Sequence, residues 1–94
     1  MKIALKYSNV NGAFGLGNKI ELATESISLK HFLLKLFDIS QGKAEFIEPK
    51  TGEIDPDCYV AVNGSIYWSL PQGMETELKD GDEVEILIFG LGGG

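Results

Sequence analysis

The sequence predicts an α+β fold in which a single helix packs across a small sheet. Three observations predict it: an alternating strand at the start, one apolar stripe at helical spacing, and strand-like runs divided by turn residues in the second half.

In residues 2–7, Ile3, Leu5 and Tyr7 alternate with Lys2, Ala4 and Lys6. That period of two belongs to a half-buried strand. Residues 8–18 are rich in Asn and Gly and read as a loop. Ile20 and Leu22 mark a second short strand, able to pair with the first as a hairpin. Leu29, Phe32, Leu33, Leu36 and Phe37 then fall at i, i+3, i+4, i+7 and i+8, one apolar face of a helix. Ser28 is suited to cap its N-terminus, and Ile27 to pack on Phe32 as a hydrophobic staple.

From residue 38 to 57 the pattern breaks into Gly, Pro, Lys and Glu, with Phe46, Ile47 and Ile54 as the larger apolar residues. This is a long connection with room for one helical turn or a short strand. Cys58-Tyr59-Val60-Ala61-Val62 is a strand closed by the turn pair Asn63-Gly64. Residues 66–68 fit a short partner strand. Lys79-Asp80-Gly81-Asp82 is a turn, and residues 83–89 form the last strand. There Val84, Ile86 and Ile88 share one side, and Glu83, Glu85, Leu87 and Phe89 the other. With the helix on the first side, Leu87 and Phe89 face outward near the chain end as a candidate partner surface.

The 94 residues make one domain, with a core too modest to share with a deep enzyme pocket. A composition of 44% apolar and 23% charged residues is that of a globular protein. The net charge is −6, and every basic residue is a lysine. Phosphate backbones and base edges are bound by clustered cations, above all arginine, so no nucleic acid partner is expected. A protein partner with a basic face fits better. The lone Cys58 excludes an internal disulfide and reads as a buried structural thiol. No apolar run approaches the roughly 20 residues needed to cross a bilayer, and the first residues alternate charge with hydrophobe. The expectation is a cytoplasmic protein with no membrane partner.

Other chemistry-bearing residues have plain readings. His31 lies among polar helix neighbours without companions for a metal. Gly12, Gly15 and Gly17 have the wrong spacing for a phosphate loop and suit a hairpin loop. Asp80, Asp82, Glu83 and Glu85 read as a solvated acidic turn rather than a calcium site, and this surface could meet a basic groove. Tyr67 and Trp68 fit core or interface equally.

The stretch Gly90-Leu91-Gly92-Gly93-Gly94 adds no core and maximises backbone freedom. The expected division is a folded domain over residues 1–89 and a flexible tail over 90–94. Five extended residues reach at most about 17 Å, and a tail of glycines is narrow enough to thread a channel in another protein. Its one reactive group is the α-carboxylate of Gly94. A carboxylate can attack the α-phosphate of ATP and become a mixed anhydride, which a thiol, a persulfide or an amine can take over. With no phosphate-binding loop of its own, the chain needs another protein for that activation. The alternative is an inert, frayed terminus.

With Tyr59-Val60-Ala61-Val62-Asn63-Gly64, then Leu78-Lys79-Asp80-Gly81-Asp82-Glu83-Val84, then the glycine end, the chain resembles the MoaD/ThiS family of small sulfur carriers related to ubiquitin. The opening strand, the Ile27-Ser28 helix start and the Leu-rich helix fit the same pattern, so the resemblance covers roughly three-quarters of the chain by element order. It implies a β-grasp (ubiquitin-like) fold, with a mixed sheet of four to five strands and one main helix on one face. It also implies a co-substrate rather than an enzyme, with no bound cofactor. An adenylating enzyme of the ubiquitin-activating type would spend ATP, with magnesium, on Gly94. A sulfur donor would convert the adenylate to a thiocarboxylate. The sulfur would pass to an acceptor such as a molybdopterin synthase large subunit. Gly93 would be the required neighbour of Gly94, with Leu91 and Gly92 lining the partner's channel. The end is Leu-Gly-Gly-Gly where the family has Gly-Gly, and Ile88-Phe89-Gly90 stands where MoaD proteins often carry a proline pair. The long 38–57 connection is similar to that of larger ubiquitin-related modifiers. Thiamin synthesis, tRNA thiolation and attachment to lysines therefore stand beside molybdopterin synthesis as implied destinations.

Overall fold

The structure, a computed structural model, describes residues 1–8, 18–42, 48, 50, 51, 53, 54 and 58–88. The opening alternation forms β1 (Lys2–Ser8), with Ile3 and Leu5 buried and Lys2 and Lys6 exposed. β2 (Lys19–Glu21) runs antiparallel to it, Ile20 opposite Ile3, so the expected hairpin pairing is present.

The chain passes through β3 (Ile27–Ser28), too short to show a period in the sequence, and enters α1 (Leu29–Ile39). Ser28 has extended backbone angles, and its Oγ accepts a 3.2 Å hydrogen bond from the His31 amide, the expected N-cap. Ile27 packs against the core beneath. Leu29, Phe32, Leu33 and Leu36 are fully buried, each worth about 1.5–3 kcal/mol relative to exposure. The helix continues through Asp38 and Ile39, past the point where the apolar pattern stops. Its end is set by the backbone instead. Gln41 and Gly42 take positive φ (60° and 85°), the Gly42 amide donates to Phe37 O (2.8 Å), and the Gln41 amide donates to Asp38 O (3.1 Å). This is a Schellman closure, which satisfies carbonyls that the helix leaves over.

In the second half, β4 (Cys58–Val62) reverses through Asn63 and Gly64, with φ of 51° and 86°, into β5 (Ser65–Ile66). Both central residues of a type I′ turn need positive φ, which Asn and Gly tolerate. The partner strand stops at Ile66 rather than running on to Trp68. Tyr67–Ser69 closes instead as a 3-10 turn, with the Leu70 amide donating to Tyr67 O at 3.2 Å. Tyr67 packs against the core, and Trp68 is left outside. A second 3-10 turn (Gly73–Glu75) leads into β6 (Glu77–Leu78), which pairs antiparallel with β3 as a separate two-stranded sheet.

The last strand, β7 (Glu83–Ile88), is parallel to β1 and antiparallel to β4. The main sheet has the order β2-β1-β7-β4-β5. It is mixed, as expected, with five strands. Ile3, Leu5, Val60, Val62, Val84 and Ile86 meet the buried face of α1 in one core. Cys58 is buried beside them at the start of β4. Among the described residues, no helix is long and apolar enough to cross a membrane.

Candidate functional site

The two sequence motifs of the second half meet in space. Asn63 and Asp82 face each other across the start of β7: Asn63 Nδ2 donates to Asp82 Oδ1 (3.1 Å), and the Glu83 amide donates to Asn63 Oδ1 (2.9 Å). The Asn63 amide also donates to Glu83 O at 2.8 Å. The type I′ turn holds Asn63 at positive φ, which aims its side chain at the neighbouring strand.

The acidic turn is spent on the backbone in the same way. Asp82 Oδ2 accepts from the Lys79 amide (2.8 Å), and Asp80 Oδ1 accepts from the Lys2 amide (2.7 Å). Gly81, at φ 91°, closes the turn and donates its amide to Lys2 O at 2.9 Å. Glu83 pairs with Lys6 at 3.4 Å. No group of three or more His, Cys, Asp or Glu among the described residues is arranged to hold a metal ion. These carboxylates fix where β7 begins, and β7 carries the tail.

At the other end of β7, Leu87 is half-buried on the face opposite Val84 and Ile86. Its outward placement agrees with the alternation read in the sequence. Phe89, Leu91, Gly92, Gly93 and Gly94, the remaining residues of the expected site, lie outside the described residues, as does the whole 90–94 tail. Gly12, Gly15 and Gly17 lie outside them too. His31 sits on the exposed side of α1 with its Nδ1 2.9 Å from Ser28 Oγ, part of the helix cap.

A cluster that the sequence left undecided stands next to Leu87. Tyr59 is the cross-strand partner of Leu87 in the β4–β7 ladder, so the two share a face. Trp68 lies edge-on to Tyr59, with ring centroids 6.2 Å apart, and edge-on to Tyr67 at 5.3 Å. Trp68 is 67% exposed. Three spaced aromatics in residues 59–68 were visible in the sequence, but which ring goes inward is set by packing against the core.

A model of the ThiS family matches residues 10–93, nearly the whole chain. Over 75 residues the chain is 31% identical to the "Putative sulfur carrier protein" of Archaeoglobus fulgidus, spanning 79% of this chain and 83% of that one. The solution structure of the Haloferax volcanii HVO 2177 protein superposes with a TM-score of 0.73 at 25% identity, covering 98% of this chain and 86% of the other. The small archaeal modifier protein 1 (SAMP1) of Methanosarcina acetivorans superposes with a TM-score of 0.70 at 27% identity, covering 99% and 96%. The mixed five-stranded sheet with one helix on one face is thus the β-grasp arrangement, and in the sequence the glycine-rich stretch comes after β7. The chain belongs to the ThiS family of ubiquitin-like sulfur carriers.

Proposed function

We propose that Gly94 is the working residue, adenylated by a separate ATP- and magnesium-using enzyme and then converted to a thiocarboxylate whose sulfur is delivered to molybdopterin synthesis. The observation that carries this reading is the match to the ThiS family over residues 10–93, which takes in Leu91, Gly92 and Gly93 of the glycine-rich stretch that follows β7 in the sequence. A carboxylate oxygen of Gly94 attacks the α-phosphorus of ATP and pyrophosphate leaves. Hydrosulfide from a donor then attacks the acyl carbon, a C–S bond forms, and AMP leaves with the oxygen. Glycine at 92, 93 and 94 puts no side chain in the way of either step, with Gly93 the required neighbour of the reacting residue. Leu91 and Gly92 line the enzyme's channel, while Leu87 and Phe89 meet its surface. The acceptor is an enzyme such as the large subunit of molybdopterin synthase. Residues 1–89 are the scaffold, and 90–94 carry the reacting group to the enzyme.

The test is the intact mass of the full chain after incubation with ATP, an adenylating enzyme and a sulfide source. The expected result is a gain equal to one oxygen replaced by sulfur, absent when Gly93 and Gly94 are both deleted. A second reading, a protein modifier, is favoured by the likeness to the small archaeal modifier protein 1 at 27% identity. In that case the acyl group is recovered joined to lysine amines of other proteins. No mass change and no conjugate with several such enzymes would refute both readings.

A further inference from the structure

β2 stands at one edge of the main sheet, and its outer backbone has no strand beside it among the described residues. Asn18 O accepts from the Leu5 amide (2.9 Å) and the Leu22 amide donates to Met1 O (2.8 Å), with Ile20 opposite Ile3 between them. Backbone groups alternate in direction along an antiparallel strand, so the N–H and C=O of Lys19 and Glu21 point away from β1. Such a row is a template for one more strand.

Where the chain leaves β2, a groove of about 490 Å³ opens toward α1. It is lined by Leu22, Ala23, Thr24 and Ile27 and, from the helix, by Lys35. Among the described residues no carboxylate pairs with Lys35.

We propose that an extended segment of a partner protein adds to β2 as a sixth strand, with apolar side chains at alternate positions in the groove and a carboxylate on Lys35. Three observations choose this occupant. The outward amides of Lys19 and Glu21 call for an extended backbone. The largely apolar lining takes every second side chain, which is the spacing a strand supplies. Lys35 is the one charged residue that lines the groove, and it selects an acid. Lys19 and Glu21 expose opposite charges on the other face, so they add no net preference. A small amphiphile would leave the outward amides unbonded, and a second copy paired edge to edge would set −6 against −6.

The site goes beyond the reading of Gly94 and does not depend on it. β1 has Met1 bonded to Leu22 at one end and Ser8 beside Leu87 at the other. At roughly 3.3 Å per residue those ends lie about 23 Å apart. The groove therefore stays open while an enzyme works on the tail, and the bound segment acts as a tether.

The probe is a blocked eight-residue peptide that alternates valine and threonine and carries aspartate at both ends. It is titrated into the isotope-labelled full chain and followed by NMR. The amide signals of Lys19, Glu21, residues 22–24 and Lys35 are expected to shift. Solvent exchange of the Lys19 and Glu21 amides, fast in the free chain, should slow about tenfold or more at saturation. Glu21→Pro removes one outward N–H without touching the pairing with β1, and should weaken binding about tenfold. Lys35→Glu should weaken it about fivefold and reverse the preference toward a peptide with lysine in place of aspartate. The thermal midpoint of each variant is the folding control. Lys19 and Glu21 amides already protected in the free chain overturn the proposal, because the edge is then paired within the chain. So do shifts centred elsewhere, no shift at millimolar peptide, or an affinity that a folded Lys35→Glu leaves unmoved. A dimer in sedimentation that Glu21→Pro abolishes also overturns it, by giving the edge to a second copy. Deleting Gly93 and Gly94 together should leave the affinity unchanged. A loss there would put the peptide on the tail and overturn the site, whereas failure of the tail chemistry alone leaves it standing.

Discussion

Substitutions at Asn63 test whether the two motifs act as one clamp. Asn63→Ala removes the bonds to Asp82 Oδ1 (3.1 Å) and from the Glu83 amide (2.9 Å). Hydrogen bonds of this kind contribute about 0.5–1.5 kcal/mol each, so the pair contributes roughly 2 kcal/mol. Alanine must also occupy φ 51°, where its Cβ crowds the carbonyl and adds about 1 kcal/mol. The expected loss for Asn63→Ala is therefore about 3 kcal/mol. Asn63→Gly loses the same bonds but tolerates the backbone angle, and should cost about 2 kcal/mol. Equilibrium urea unfolding measures both, with the midpoint falling and the slope unchanged. In a domain of this size, about 3 kcal/mol corresponds to a fall of roughly 12–24 °C in Tm. Two results would refute the reasoning. If Asn63→Gly matches the native protein, the side-chain bonds contribute nothing. If Asn63→Gly is no more stable than Asn63→Ala, the positive φ carries no penalty.

Other outcomes follow from the same structure. Phe32→Ala, which empties a fully buried site between α1 and the sheet, should cost about 3–5 kcal/mol by urea unfolding. Ser28→Ala, which removes the acceptor for the His31 amide, should cost about 1 kcal/mol, and Ser28→Asp should restore most of it. Deleting Gly93 and Gly94 together should leave the thermal midpoint unchanged while abolishing pyrophosphate release in the presence of the adenylating enzyme. A fall in the midpoint would mean that the tail is part of the fold.

What the sequence revealed depended on how much periodicity each element carries. The seven residues of β1 and the eleven of α1 are long enough to display their spacing, so Ile3, Leu5, Leu29, Phe32, Leu33 and Leu36 could be assigned to the core. The two-residue strands Ile27–Ser28 and Glu77–Leu78 have no period to read and were not anticipated. Tyr67 and Trp68 look alike in one dimension, because which of two adjacent aromatics turns inward is decided by packing against the core. The parallel pairing of β1 with β7 is likewise a matter of topology, and entered only through the family resemblance. Of the expected site, Leu87 could be placed by alternation along β7. The proposed chemistry of Gly94 was read from the run of glycines alone, which needs no fold to be recognised.

The position of β7 in the middle of the sheet has a consequence for biosynthesis. The ladders on its two sides join β2-β1 to β4-β5, so without it the sheet falls into two separate hairpins. A nascent chain that stops before residue 83 has neither a closed core nor a finished outer face, and isolated hairpins are barely stable in water. Its first strand waits for a partner nearly eighty residues away, a long-range closure that must precede any reward from packing. The ribosome thus releases a folded shape only after the strand leading to the glycines has been made.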